Sequence, residues 1–151
     1  MNIWNTIKEI IQLCEVDEAI DKPSEQRLLF LLDSLAFQMH SIEPFGEFKG
    51  KEIPENNYDD IRNAISKRFS NWGYYNTVSD VTLKIAETEV LTGDAIDDIT
   101  DIINDLKMAV WSHENENEQT AIWHLQDSYH YHWREHLRNL QFYIHCLENK
   151  I

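Results

Sequence analysis

The chain predicts an all-α fold, a single-domain bundle of about five helices spanning residues 1–151. Three observations carry this. Gly and Pro are sparse, with 4 and 3 copies, so the chain has few places to turn. Ile96, Ile99, Ile103, Leu106 and Val110 recur in a 3-4-3-4 rhythm, which is a core seam of one helix. The stretch Glu116–Leu147 carries no Pro or Gly and repeats its apolar residues at helical spacing. With 151 residues, 42% of them hydrophobic, the chain is long enough to bury a proper core as one domain.

The first helix is expected over Ile3–Ile20, where Ile3, Ile7, Ile10 and Cys14 fall on one face beside Trp4 and Ile11. Pro23-Ser24-Glu25 is a stop followed by a start. The second helix then runs to His40. Its stripe of Leu28, Leu32, Leu35 and Met39 is widened by Leu29, Leu31 and Ala36, which predicts a helix with neighbours on most sides. His40–Asn56 reads as a loop holding Pro44, Pro54, Gly46 and Gly50, with Phe45 and Phe48 pinning it to the core. Asn57 is the N-cap of a third helix, with Asp59 and Asp60 in the first turn. Ile61, Ile65, Phe69 and Trp72 form its buried face, and Gly73 suits a C′ position.

Tyr74–Leu91 is ambiguous. Val81, Leu83 and Ile85 alternate with polar residues, which suits a short strand or an extended segment, but a lone strand has nothing to pair with, so the extended segment is favoured. Thr92-Gly93-Asp94 introduces the fourth helix, and Asn115 and Asn117 mark its end. So short a link makes the fourth helix and the long last helix antiparallel neighbours.

The last helix holds Trp123, Tyr129, Tyr131, Trp133 and five of the seven histidines. At about 100° per residue, Ile122, Leu125, Tyr129, Leu140, Ile144 and Leu147 all fall within about 80° of Trp133. His136 lies inside this stripe and His132 at its edge, while His124, Arg134, Arg138 and His145 face the other way. An unsatisfied buried polar group costs about 1–3 kcal/mol, so imidazoles on this face need partners from elsewhere in the chain.

Three segments carry a resemblance. Asp97-Asp98-Ile99-Thr100-Asp101-Ile102-Ile103-Asn104-Asp105-Leu106, then Ala121-Ile122-Trp123, then His132-Trp133-Arg134-Glu135-His136-Leu137 resemble the bacterial domain-of-unknown-function family numbered 5063. That family has Asp-Ile-x-x-Asp-Leu in the penultimate helix, and Ala-x-Trp and His-Trp-Gly-x-His-Leu in the last. Asp101, Ile102, Asp105, Leu106, Ala121, Trp123, His132, Trp133, His136 and Leu137 match, and Arg134 stands where the family has Gly. The similarity runs from the second helix to Leu147. It implies a helical fold and a bacterial cytosolic setting, and no activity.

Charge narrows the partners. The net charge of -14 disfavours nucleic acid, whose phosphates want a basic surface, and anionic membranes for the same reason. A basic protein or a metal cation suits it. The most apolar run, Leu28–Phe37, is broken by Asp33 and too short to span a bilayer, and no basic leader opens the chain. Cys14 and Cys146 lack metal-like spacing and read as reduced packing residues, consistent with the cytoplasm.

His132 and His136, four apart, share one helical face, as metal-ligating pairs do. With Asp101 and Asp105 of the preceding helix they make the candidate metal set, and Asp98 lies near the same arc. Asp101 points largely away from the seam. The competing reading is a structural polar cluster with Trp133, in which carboxylates accept hydrogen bonds from imidazoles and set the helix register. His132-x-x-Glu135-His136 matches the inverted zincin pattern, but the same helix leaves no room for a downstream third ligand. Ser128 has no nucleophile elbow around it, and no Gly-rich phosphate loop exists. The leading function is therefore a non-catalytic protein-interaction or regulatory module without a cofactor. It would hold a basic partner through its acidic surface and the 40–56 loop, as small immunity proteins do. The alternative is a divalent-metal-binding protein or small metalloenzyme.

Overall fold

The computed structural model describes residues 2–43 and 50–149. Among these residues, six α-helices and one hairpin follow in order: α1 (Ile3–Cys14), α2 (Lys22–Met39), α3 (Tyr58–Arg68), β1 (Tyr74–Val78), β2 (Val90–Asp94), α4 (Ala95–Asn115), α5 (Glu118–Ser128) and α6 (Arg134–Glu148). A single π-helical turn, Tyr129–Trp133, joins α5 to α6 without a break, so the two form one long rod and the bundle has five. Among the described residues, no helix is long and apolar enough to cross a membrane.

Side-chain caps start five of the helices. Asn2, Asp21, Asn57, Asp94 and Asn117 each accept a backbone N–H of the first turn of α1, α2, α3, α4 and α5. The first helix ends at Cys14, six residues earlier than its apolar spacing suggests. The reason is Arg68 at the end of α3. Its buried guanidinium donates to the Leu13 carbonyl at 2.8 Å and the Glu18 carbonyl at 3.0 Å. The Ile20 N–H in turn donates to the Arg68 carbonyl at 2.8 Å. These bonds satisfy backbone groups that a longer helix would otherwise have used.

One core joins all the rods. Ile7, Ile10, Leu28, Leu32, Leu35, Phe69, Ile99, Ile103, Leu106, Trp133, Leu140 and Ile144 are fully enclosed. The long α2 stripe is buried on one side only, because Phe30 and Phe37 on its outer face are 54% and 74% exposed. Cys14 is buried and Cys146 exposed, both as free thiols. Only Cys14 is thus a packing residue.

The hairpin corrects the reading of 74–94. β1 pairs antiparallel with β2 in a register running from Tyr74↔Asp94 to Val78↔Val90. The missing partner strand is the stretch that reads, by its Thr-Gly-Asp sequence, as a helix lead-in. Val81, Leu83 and Ile85 lie in the connection between the strands and are 77%, 82% and 73% exposed. Gly73 caps no helix. Its N–H donates to the Tyr143 hydroxyl oxygen at 2.9 Å and its carbonyl accepts from the Ala95 N–H, which ties the hairpin base to α6 and α4. An isolated hairpin is marginal in water, and here Tyr75 packs it on the core.

Of the 40–56 loop, Phe45 and Phe48 lie outside the described residues. Ile53 is buried, and three bonds hold the flanks: Gln126 to the Ile42 carbonyl, the Lys51 N–H to Glu116, and Asn56 to the Asn104 carbonyl.

Candidate functional site

Asp98, Asp101 and Asp105 occupy positions i, i+3 and i+7 of α4 and so share one face. His132 in the π turn and His136 in α6 share another. The two faces meet with opposite polarity. His132 Nδ1 lies 2.7 Å from Asp105 Oδ2, and His136 Nδ1 lies 2.7 Å from Asp98 Oδ1. A later histidine thus meets an earlier aspartate, which fixes α4 and α6 as antiparallel. Asp101 sits between the pairs, its Oδ2 3.3 Å from His136 Nε2. The two rings stand edge to face, 5.1 Å apart.

Other elements position the carboxylates. Tyr75 from β1 donates to Asp98 Oδ2 at 2.5 Å. Tyr58, the first residue of α3, donates to Asp101 Oδ1 at 2.9 Å and reaches Asp97 at 3.2 Å. Arg62, one turn on, bridges Asp94 and Asp97 at 2.9 Å each. Gly93 makes the Tyr75 contact possible. It faces Tyr75 across the hairpin, and a Cβ there would overlap the tyrosine ring. The ring crosses the bare glycine and carries its hydroxyl to α4. Nothing in the local sequence marks Tyr58, Tyr75 or Arg62 as partners of α4, because their segments lie 23 to 43 positions away.

The π turn decides which imidazole is covered. It accommodates one extra residue in the helix, and such turns recur at functional sites. Tyr129 and Trp133 both point into the core, with ring centroids 4.6 Å apart, and the Trp133 indole donates to Ser128 Oγ at 2.9 Å. His132 is correspondingly turned outward. Its side chain is 45% exposed, against 25% for His136. The sequence places both imidazoles on or beside the buried stripe, and the extra residue rotates His132 off it.

The predicted set of His132, His136, Asp101 and Asp105 divides in two. One ligating atom from each of Asp101, His132 and His136 lies within 4.8 Å of the others. Asp101, which simple helix geometry turns away from the seam, is the member that converges on the histidines. Asp105 stands behind His132 on its Nδ1 edge, as Asp98 stands behind His136. Glu135 of the zincin-like pattern is exposed.

The environment shifts several protonation equilibria. The Asp98 hydrogen bond raises the His136 pKa against the opposing effect of burial. Burial raises that of Asp105 despite the His132 bond. Burial, reinforced by their aspartate partners, raises those of Tyr58 and Tyr75, so both phenols remain donors near neutral pH. Three carboxylates and two imidazoles thus meet in one cluster, which can lock helix register or hold a cation.

Residues 26–149 match the model of a family described as a domain of unknown function, DUF5063, and the chain belongs to that family. No curated protein matches. Among solved structures, the fold resembles the crystal structure of protein BF1032 from Bacteroides fragilis, a structural-genomics target. The TM-score is 0.74 at 19% identity, covering 99% of this chain and 91% of that one. At that identity the likeness concerns the fold.

Proposed function

We propose that this DUF5063 chain binds a divalent transition-metal ion through Asp101, His132 and His136. One observation carries the reading: the His136 ring lies between two carboxylates, with Nδ1 on Asp98 and Nε2 on Asp101. If Nδ1–H donates to Asp98, the Nε2 lone pair faces a carboxylate oxygen, and only a proton or a metal cation makes that approach favourable. Metal-bound histidines typically hold their other nitrogen against a carboxylate, which is the relation of Asp98 to His136 and of Asp105 to His132. The 3.3 Å between Nε2 and Oδ2 equals the spacing of about 3.3–3.5 Å between two ligands on a tetrahedral ion at about 2.0–2.1 Å. A divalent ion also offsets the excess of carboxylate charge.

Elemental analysis of protein purified without chelator tests this. One equivalent of metal is expected, lost in His136→Ala and in His132→Ala. A saturating ion at about 100 times its Kd adds about 2.7 kcal/mol, and a chelator should reverse that gain in the native protein only. Native protein without metal, whose melting temperature zinc, cobalt, nickel, manganese and ferrous ions leave unchanged, would reduce the cluster to a register lock.

A second reading, a protein-interaction module of the cytoplasm, has its own support. Phe30 and Phe37 stand two turns apart on the outer face of α2, exposed, on a chain of net charge -14. An exposed apolar patch on a chain of this net charge suits a partner with an apolar centre and an overall basic surface. Capture of one specific protein at low salt, lost at high salt and in Phe30→Ser/Phe37→Ser, would support it. Capture unaffected by both would not.

A further inference from the structure

The donor set bears on which cation enters and on what completes its coordination; this inference rests on the metal reading above. We infer that the centre selects a zinc-class ion over magnesium or calcium and leaves a solvent-facing coordination position to an exchangeable ligand. That ligand is water at rest, displaced by a small monodentate anion.

Two imidazoles and one carboxylate favour zinc, cobalt, nickel or ferrous ion, whereas magnesium and calcium want oxygen donors throughout. Several of the nearby carboxylate oxygens already accept hydrogen bonds, which weakens the case for an all-oxygen shell. Asp98 accepts from Tyr75 with one oxygen and pairs with His136 through the other. Asp105 Oδ2 is held by His132. Asp97 Oδ1 is shared by Arg62 and Tyr58, and Asp94 Oδ2 is bound to Arg62.

Three protein donors leave at least one position open even on a four-coordinate ion, the arrangement that separates reactive zinc sites from closed structural ones. The opening faces water, because the outward rotation of His132 leaves its side chain 45% exposed. Asp101 is not free to close the shell by binding through both oxygens, since Tyr58 donates to its second oxygen at 2.9 Å. All three ligands sit on helical segments, Asp101 in α4, His132 in the π turn and His136 in α6, which brings their ligating atoms within 4.8 Å of one another.

Cobalt(II) substitution of the full chain reads both parts. Cobalt should bind stoichiometrically with d–d bands of a four- or five-coordinate ion, and azide should shift those bands saturably. Zinc should displace cobalt, whereas a large excess of magnesium or calcium should not. Asp105→Asn keeps all three ligands and should weaken cobalt binding by about 10–100-fold. A cobalt complex indifferent to azide, or displaced as readily by magnesium as by zinc, would overturn this inference while leaving the metal reading standing. Failure of cobalt and zinc alike to bind would overturn the metal reading itself. His132→Ala, which removes an exposed side chain and should fold, must abolish the azide-sensitive spectrum.

Discussion

Removing the Asp98 carboxylate should destabilise the protein far more than removing the His132 imidazole, although both belong to the same cluster. Asp98 is 5% exposed and accepts from Tyr75 at 2.5 Å while pairing with His136 at 2.7 Å. A hydrogen bond to a charged group contributes about 1.5–3 kcal/mol. Asp98→Ala deletes two and strands a phenol and an imidazole. Each of these retains some access to water, the His136 side chain being 25% exposed, so the low end of the range applies to both. The expected loss is about 2–4 kcal/mol. For a chain of this size, each kcal/mol moves the melting temperature by about 2–4 °C, giving a fall of about 5–15 °C. His132→Ala breaks one bond at a half-exposed side chain and should cost about 0.5–1 kcal/mol. Asp98→Asn keeps one acceptor but turns an amide toward the second donor, and should fall between, at about 1–2 kcal/mol. Urea unfolding followed by tryptophan fluorescence, with chelator present to exclude any bound ion, measures all three. Equal losses for Asp98→Ala and His132→Ala, or a loss under about 1 kcal/mol for Asp98→Ala, would refute the view that buried Asp98 is the anchor of the cluster.

Two further perturbations test the elements that build the site. Gly93→Ala places a Cβ against the Tyr75 ring and should cost about 1–3 kcal/mol. Combined with Tyr75→Phe it should cost less than the sum of the single changes, since both remove the same hydrogen bond; strict additivity in urea midpoints would disprove the coupling. Trp133→Ala empties a fully enclosed site and should cost about 3–5 kcal/mol, checked by the same unfolding assay against Trp123→Ala, whose side chain is only partly buried.

Local signals were sufficient for much of the bundle. Asn57 caps α3 as its sequence context demands, because a short polar side chain at that position meets a first-turn N–H whatever lies further away. Ile99, Ile103 and Leu106 are buried along α4 because a 3-4 spacing makes one face of any helix. The four-residue spacing of His132 and His136 likewise puts both on one helical face, whereas Asp101, which reads as turned away from the seam, meets His136 only once the helices pack. The family resemblance read from Asp101 to Leu137 agrees with the match over residues 26–149.

Tertiary structure decided the rest, and in each case the cause lies far away in the chain. The end of α1 depends on a guanidinium at position 68, and the strand at 74–78 on a partner twelve residues beyond it. Which aspartate meets which histidine depends on the axial offset and rotation of two packed helices. A π turn of five residues then rotates His132 outward and keeps Trp133 inward. Periodicity specifies a face, but a hydrogen bond or a ligand set needs atoms placed to within a few tenths of an ångström. That placement arises only when α3, the hairpin, α4 and α6 close on one another, bringing Tyr58, Tyr75 and Arg62 to carboxylates that no local pattern could assign to them.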